Sequence, residues 1–159
     1  MYGKIMVPLD GSELAECVLP HVQAITSGCK IATVVFVRVV DPAKLSAMLP
    51  AQGELGYQEK NRRELQIQRR KTAEDYLKKV VEKTAIENAQ THYEVLEGKV
   101  AETLSDWAEK NSVDLIIIAS HGRSGISRWM MGSVADKILH SVCAPVFMIR
   151  APGCVTGIK

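Results

Sequence analysis

The chain has 159 residues, of which 47% are hydrophobic and 24% are charged, an average composition for a globular protein that excludes disordered and collagen-like architectures. Its 20 basic and 18 acidic residues leave a formal net charge of +2, which predicts no basic face for nucleic acid. The length predicts a single domain over residues 1–159. We expect a cytoplasmic protein without membrane contact, since the chain shows neither the apolar core of a signal peptide nor an apolar run of about 18 residues.

The first predicted strand is the apolar run over residues 5–7. Pro8 follows it and cannot donate to a sheet ladder, so we expect the strand to leave the sheet there. A helical period then covers residues 12–26 and begins at a serine that is suited to cap a helix. Pro20 lies inside this predicted helix and should kink it, and Gly28 should close it as the first residue past its end.

The second predicted strand covers residues 31–37 and continues past Arg38 to residue 40. Residues 41–57 contain two prolines, two glycines and no clear period, which predicts a long loop. The charged segment over residues 59–88 has apolar residues at helical spacing and predicts a long helix whose charges form a solvated face. The partly alternating run over residues 91–96 predicts a strand at the edge of a sheet.

Two helices and two strands complete the predicted pattern, and they cover residues 100–109, 115–119, 133–141 and 146–149. The strongest strand runs are almost continuously apolar and rich in β-branched residues, which is typical of strands buried on both faces. Alternation of such strands with helices predicts right-handed crossovers and a parallel sheet. We therefore predict an α/β fold with a five-stranded parallel sheet, a Rossmann-like three-layer sandwich.

The first candidate site residue is Asp10, which follows the first predicted strand. In open α/β sheets, ligands bind beyond the carboxyl ends of the strands, where the strand order reverses. Asp10 would present its carboxylate there to a hydroxyl or amino group. The run Asp10-Gly11-Ser12 is also typical of a turn followed by a helix cap, so this alternative stays open.

The second candidate site is the connection rich in glycine and serine that precedes the predicted helix at residue 133. Gly122 and Gly125 would allow close backbone approach, and Gly132 with Ser133 would open a helix whose unpaired N–H groups favour an anion. Arg123 would add positive charge. A flexible glycine loop with a serine cap is the alternative. The sequence has neither a Walker A motif nor a GxGxxG after the first strand, which argues against a P-loop NTPase and a dinucleotide dehydrogenase.

Several motifs together resemble the universal stress protein family. They lie at residues 8–12, 38–41, 97–101, 114–125, 132–135 and 144–146. The resemblance covers nearly the whole chain, and the carboxyl-terminal third is its most specific part. It implies the adenine nucleotide alpha-hydrolase-like form of the predicted fold.

Nucleotide-binding members of that family carry a motif of Gly, two residues, Gly, nine residues, Gly and then Ser or Thr. Gly122 matches the second glycine, residues 123–131 are the nine, and Gly132 with Ser133 closes the motif. Ala119 stands where the family has its first glycine, at the strand end where the chain turns toward phosphate. The match therefore implies a phosphate site with one departure from the family pattern.

The resemblance implies that an adenine nucleotide, ATP or AMP, binds in the crevice and that Mg²⁺ can arrive with it. Pro8, Leu9 and Asp10 would hold ribose and adenine, and Val39 would contact the base. The other implied site residues belong to the phosphate loop and the helix start, and they are Ala119, Ser120, His121, Gly122, Arg123, Gly125, Gly132, Ser133 and Val134.

The resemblance also implies a homodimer that pairs through the last strand, although core packing alone would explain that apolar run, which is Val146, Phe147, Met148 and Ile149. We predict a dimeric nucleotide-binding switch in the stress response, with no catalytic residue, no metal site made only of protein ligands, and slow or absent hydrolysis. Two alternatives stay open. One is a nucleotide-independent interaction module, which Ala119 favours, and the other is an ATPase or phosphotransferase.

Overall fold

Strands and helices alternate along the chain in the computed structural model, which describes residues 2–43, 55–121 and 132–150, with the backbone alone for residues 55–59. This is the βαβ alternation that the apolar runs predict. In chain order the elements are β1 (Lys4–Pro8), α1 (Glu13–Glu16), α2 (Leu19–Gly28), β2 (Thr33–Val40), α3 (Leu55–Thr84), β3 (Gln90–Glu97), α4 (Val100–Lys110), β4 (Leu115–Ala119), α5 (Ser133–Ser141) and β5 (Val146–Ile149).

The five strands form one parallel sheet with the order β3-β2-β1-β4-β5. The predicted five-stranded parallel sheet is therefore confirmed, and β3 lies at its edge, as its alternating pattern predicts. The chain builds outward in one direction from β1 to β3 and in the other direction from β4 to β5. This reversal of strand order leaves a crevice beyond the carboxyl ends of β1 and β4.

Two hydrophobic layers cover the sheet, one on each face. Ile5, Val7 and Phe36 pack in the layer formed with α2 and α3, whereas Met6 and Val35 pack in the layer formed with α4 and α5. Burial of each such side chain contributes roughly 1.5–3 kcal/mol to folding. Because successive strand residues point to opposite faces, strands covered on both sides need apolar residues at nearly every position. The three layers thus explain the continuous apolar runs and confirm the predicted sandwich.

The helix predicted over residues 12–26 is two helices, because α1 ends at Glu16 and α2 begins at Leu19. Pro20 cannot donate to the carbonyl of Glu16 and its ring crowds that oxygen, so the helix breaks ahead of the proline instead of kinking at it. Pro20 therefore lies in the first turn of α2, where its missing N–H costs nothing. Gly28 is the last residue of α2 and the extended Cys29 ends the helix, so the predicted place of Gly28 was wrong.

The long helix α3 covers Leu55–Thr84 instead of the predicted residues 59–88. It ends where Ala85 takes a φ of 40°, which turns the chain out of the helical path. Its carboxyl-terminal half packs on the sheet through residues that include the fully buried Ala73 and Leu77. The part of α3 that follows residue 72 is thus fixed by the core.

The predicted loop over residues 41–57 overlaps the first turn of α3, and its residues 44–54 lie outside the described part. The other predicted strands and helices are found with ends that differ by no more than two residues. Within the described ranges, no helix is both long and apolar enough to cross a membrane. The extent of the domain over residues 1–159 stays a prediction.

Candidate functional site

A cleft of about 610 Å³ opens beyond the carboxyl ends of β1, β2 and β4, where the strand order reverses. This volume lies within the range of about 300–1,000 Å³ that is typical of small-ligand sites. Gly122, Arg123 and Gly125 lie outside the described residues. The other predicted site residues all line the cleft, and they are Pro8, Leu9, Asp10, Val39, Ala119, Ser120, His121, Gly132, Ser133 and Val134.

Pro8 opens the crevice on the side of β4. The N–H of Leu9 donates to the Val37 carbonyl at 2.8 Å, so β1 stays paired with β2 through Pro8. Successive strand residues direct their N–H groups to opposite sides, which places the missing N–H of Pro8 toward β4. On that side the pairing ends where Met6 lies opposite Ile116. The departure predicted at Pro8 therefore occurs from β4 and not from β2, and it makes room for the cleft.

Asp10 is held at the cleft by the turn that follows it. Its Oδ1 accepts hydrogen bonds from the Ser12 N–H at 2.9 Å and from the Ser12 hydroxyl at 2.6 Å. Gly11 makes the turn with a φ of 85°, which favours glycine. Ser12 also caps α1, because its Oγ accepts from the Ala15 N–H at 3.2 Å. The run is therefore a turn with a helix cap, and the same turn orients a carboxylate at the cleft.

The end of β4 and the start of α5 meet in a contact that only glycine permits. The Gly132 N–H donates to the Ser120 carbonyl at 2.9 Å, and a Cβ added at Gly132 would lie 2.9 Å from that oxygen, closer than real Cβ atoms approach. Ser120 is fixed in turn, because its N–H donates to the Ile149 carbonyl at 2.7 Å. Its hydroxyl lies 3.0 Å from Nδ1 of His121. These bonds hold the start of α5 against the sheet.

The start of α5 presents backbone donors to the cleft. The first hydrogen bond within the helix runs from the Asp136 N–H to the Gly132 carbonyl at 2.9 Å. The N–H groups of Ser133, Val134 and Ala135 therefore have no acceptor within the helix, and Gly132 makes no side-chain cap for them. All three residues line the cleft. Such donors, together with the positive end of the helix dipole, favour an anionic group at this position.

Ala119 is accommodated as an ordinary strand residue. It pairs with Ile149 of β5, and it is 7% exposed. Its φ is not positive, so its backbone does not take a conformation reserved for glycine. Its methyl group belongs to the hydrophobic layer shared with α2 and α3. The departure from the first motif glycine therefore imposes no backbone strain at the end of β4.

Among the described residues, four polar or charged ones line the cleft without having been predicted: Arg38 and Asp41 at the end of β2, and Arg69 and Thr72 on α3. The sequence placed the residues of α3 on a solvated, charged face. Arg69 and Thr72 lie one turn apart on one side of the helix, next to the buried Ala73, but this spacing alone does not distinguish them from the other polar residues of α3.

The guanidinium group of Arg38 stacks on the ring of Tyr76, which belongs to α3. The guanidinium carbon lies 5.1 Å from the centre of the Tyr76 ring, a cation–π distance. Burial and the negative charge of Glu16 raise the pKa of Tyr76 above its usual value, so its phenol stays neutral near pH 7. The stacked ring restricts Arg38 and keeps positive charge at the β2 end of the cleft, near the carboxylates of Asp10 and Asp41.

The fold and the cleft place the chain among the α/β proteins whose doubly wound parallel sheet carries a ligand site at the reversal of strand order. The model of the universal stress protein family matches residues 1–150. The chain therefore belongs to the universal stress protein family, as its motifs indicate. Over 152 residues it is 30% identical to the universal stress protein MJ0531 of Methanocaldococcus jannaschii, which covers 96% of this chain and 84% of that protein.

Solved structures share the fold over almost the whole chain. The structure of MJ0577 of Methanocaldococcus jannaschii superposes with a TM-score of 0.81 at 24% identity, covering 96% of this chain and 99% of that one. A universal stress protein of Arabidopsis thaliana with AMP bound gives a TM-score of 0.59 at 10% identity and covers 95% and 93% of the two chains. A universal stress protein in complex with cAMP gives 0.57 at 15% identity and covers 94% and 98%.

Proposed function

We propose that the chain binds an adenine nucleotide, ATP or AMP, in the cleft and acts in the cytoplasm as a dimeric switch in the stress response. The observation that carries this proposal is the placement of α5. The contact of Gly132 with Ser120 brings the N–H groups of a helix start to the cleft at the reversal of strand order. Donors in this position suit phosphate. The AMP and cAMP complexes of two family members with this fold support the choice of an adenine nucleotide.

The other cleft residues suit the remaining parts of a nucleotide. Val39 and Leu9 offer apolar surface to a base at the β2 end. Because β1 lies between β2 and β4, Asp10 falls between the two ends of the cleft, where its carboxylate can accept from ribose hydroxyls. Ser133 adds a hydroxyl donor beside the N–H groups of α5. The nucleotide would thus lie with its base toward β2 and its phosphates toward α5.

Mg²⁺ would reach the cleft with the nucleotide, held mainly by phosphate oxygens and water. Among the described residues, no group of three or more His, Cys, Asp and Glu side chains is arranged to hold a metal ion. We expect slow or no hydrolysis, because fast phosphoryl transfer needs an anchored metal ion and a positioned nucleophile. The chain would therefore respond to nucleotide by binding it.

Dimer formation through β5 belongs to the same proposal. Among the described strands, β5 lies at the edge of the sheet and pairs with β4 on one side only. A strand edge of this kind carries backbone donors and acceptors that a second strand can satisfy. Phe147 on β5 is 41% exposed, and a second copy at this edge would cover it.

Isothermal titration calorimetry with AMP and with ATP, each with and without Mg²⁺, tests the proposal. We expect saturable binding at one site per chain. Nucleotide at one hundred times its Kd should also stabilise the folded chain by about 2.7 kcal/mol, which a thermal melt detects. If millimolar nucleotide gives neither binding heat nor a thermal shift, the result contradicts nucleotide binding and favours the interaction module.

A further inference from the structure

A histidine of α2 lies against the edge strand β5. The ring of His21 meets the ring of Phe147 edge-on, and the two ring centres are 6.1 Å apart. Both side chains are exposed to solvent in the single chain. Because Phe147 belongs to the strand through which we propose that two copies pair, His21 lies beside the pairing edge.

A second copy at β5 would bring its own His21 to the same face of the joined sheet. Two identical chains form a closed pair through a twofold axis. Such an axis would set the N–H groups of parallel strands against each other, so the two β5 strands must run antiparallel, with the axis perpendicular to the sheet. Since β5 has only four residues, this pairing places Phe147 of each copy, with the His21 ring that touches it, next to the axis.

The elements around His21 offer no charge that would balance a proton on its ring. His21 is the only titratable residue of α2, and β4 and β5 contain none. Within the described ranges, the ring nitrogens of His21 make no hydrogen bond or ion pair. The charged residues that flank these elements are Glu13 and Glu16 on α1 and Arg150 after β5.

These flanking groups leave the ring without a partner. Glu16 pairs with Lys83 of α3 at 3.4 Å. Glu13 lies two turns before His21, and Cys17 lies between them. Burial raises the pKa of the Cys17 thiol, so this side chain stays neutral near pH 7. Arg150 carries the same sign of charge as a protonated imidazole.

We propose that proton uptake by His21 dissociates the dimer, so that the chain is a dimer near neutral pH and a monomer at mildly acidic pH. The inference rests on the proposed function, with pairing through β5. Histidine side chains change their charge between about pH 5 and pH 8. A second copy covers a neutral imidazole at little cost, whereas a covered imidazolium without a counter-ion loses water that nothing replaces. Two such charges beside the twofold axis also repel each other.

Sedimentation equilibrium at pH 7.5 and pH 5.5 measures the Kd of the dimer for three proteins, with circular dichroism as the control for folding. The wild-type Kd should rise about tenfold or more at the lower pH, because each dimer that dissociates takes up two protons. His21→Gln keeps a polar side chain that cannot take up a proton, and its Kd should change by about twofold or less. His92→Gln makes the same change at an exposed position on β3, the opposite edge, and should keep the wild-type pH dependence.

The outcomes separate this inference from the proposed dimer. A wild type that is monomeric at both pH values, or a dimer that Phe147→Lys leaves intact, overturns pairing through β5 and the role of His21 with it. A wild-type Kd that is equal at both pH values, or a His21→Gln variant that keeps the wild-type pH dependence, overturns the role of His21 and leaves the dimer in place.

His21→Lys tests the charge itself, because lysine is protonated at both pH values. We expect this variant to dimerise at pH 7.5 as weakly as the wild type does at pH 5.5. A His21→Lys dimer as tight at pH 7.5 as the His21→Gln dimer would overturn the proposal that charge at this position separates the two copies.

Discussion

Gly132 and Gly28 each lie at the end of a helix, but a methyl group added to them meets different surroundings. At Gly132 it would lie 2.9 Å from the Ser120 carbonyl, whereas at Gly28 nothing lies within 4 Å. Gly132→Ala must therefore push the start of α5 away from β4, and with it the N–H groups proposed to hold phosphate. Gly28→Ala changes only the helix propensity at the end of α2.

We expect Gly132→Ala to weaken AMP binding about tenfold or more, because misplaced donors lose most of their interaction with the ligand. Gly28→Ala should bind AMP as the wild type does and melt at an equal or slightly higher temperature. Calorimetry of the two variants measures both effects. Equal AMP affinity in the two variants would show that the start of α5 does not belong to the AMP-binding site.

Asp114 links pH to stability at the opposite end of the sheet. Its Oδ2 accepts from the N–H groups of Gly3 and Lys4, each at 2.8 Å, and these bonds lower the pKa of its carboxyl. A lowered pKa means that the carboxylate stabilises the fold above its unfolded pKa of about 4, and that this contribution is lost as pH falls through the folded value.

Asp114→Asn keeps the shape and an acceptor oxygen but removes the charge. We expect the variant to melt at a lower temperature than the wild type at pH 7. The difference should begin to shrink as pH falls below about 4, where the carboxyl of the unfolded chain takes up a proton, and should disappear as pH falls through the lowered pKa of the folded wild type. Thermal melts by circular dichroism from pH 7 to pH 3 measure it, and a difference that stays constant over that range would contradict this role of Asp114.

Sequence patterns located the site residues that belong to strand ends and glycine motifs. Asp10 and Gly132 follow or precede regular elements at positions where the parallel sheet gathers loops, so their place at the cleft could be predicted. Thr72 and Arg69 could not, because their place depends on how α3 lies across β2 and β3. A helix that is charged on most of its surface gives no indication of which polar side chains meet a cleft.

At the scale of elements, the amino-terminal half of α3 is tied to the sheet through Glu97 of β3. Its carboxylate accepts a hydrogen bond from Gln66 and forms an ion pair with Arg70. Arg70 also pairs with Glu74 at 3.0 Å. The side chains of Arg70 and Glu97 are 49% and 34% exposed, so solvent screens their attraction. The anchor therefore positions the helix locally and contributes little to global stability.

Glu97→Gln should consequently raise amide hydrogen exchange in residues 60–72 while leaving residues 73–84, which pack on the core, nearly unchanged. Glu82→Gln removes a charge from the packed half of the same helix and serves as the matched control. Exchange measured by mass spectrometry resolves the two halves. Unchanged protection of residues 60–72 in the Glu97 variant would show that other contacts hold this half.

Element types could be predicted more securely than element ends. The buried strands could be recognised from their continuous apolar runs, because both faces of the sheet are covered. β4 and β5 have the predicted bounds. The break at Pro20 was misplaced, since a proline disturbs the carbonyl four residues earlier and not its own position. The end of α3 at Ala85 could not be predicted, because no glycine or proline marks the positive φ.

At the scale of the whole molecule, two edge strands offer a matched pair of exposed aromatic residues. Phe147 on β5 and Tyr93 on β3 are each 41% exposed. The proposed dimer uses the edge at β5. A lysine on an edge strand opposes pairing with another strand, because the approaching copy would bury its charge.

Phe147→Lys should therefore shift the chain from dimer to monomer, whereas Tyr93→Lys should leave the dimer intact. Native mass spectrometry at one protein concentration measures the subunit count, with circular dichroism as the control for folding. A monomeric wild type, or a dimer that Tyr93→Lys dissociates and Phe147→Lys does not, would contradict pairing through β5.

The architecture as a whole could be predicted because alternation of apolar strands and helices admits few topologies once crossovers are right-handed. The partly alternating sequence of β3 indicated its edge position, and most of its residues are exposed or half-buried in the structure. The sequence did not show that β1 leaves β4 and stays paired with β2 at Pro8, because this depends on which side of the strand the missing N–H of Pro8 faces.

A crystal structure of the chain with AMP tests most directly whether the cleft is a nucleotide site. We expect density for AMP with its base beside Val39 and its phosphate within hydrogen-bond distance of the N–H groups of Ser133 to Ala135. Crystals grown at saturating AMP that leave this cleft without nucleotide, or that place the phosphate away from α5, would contradict the account.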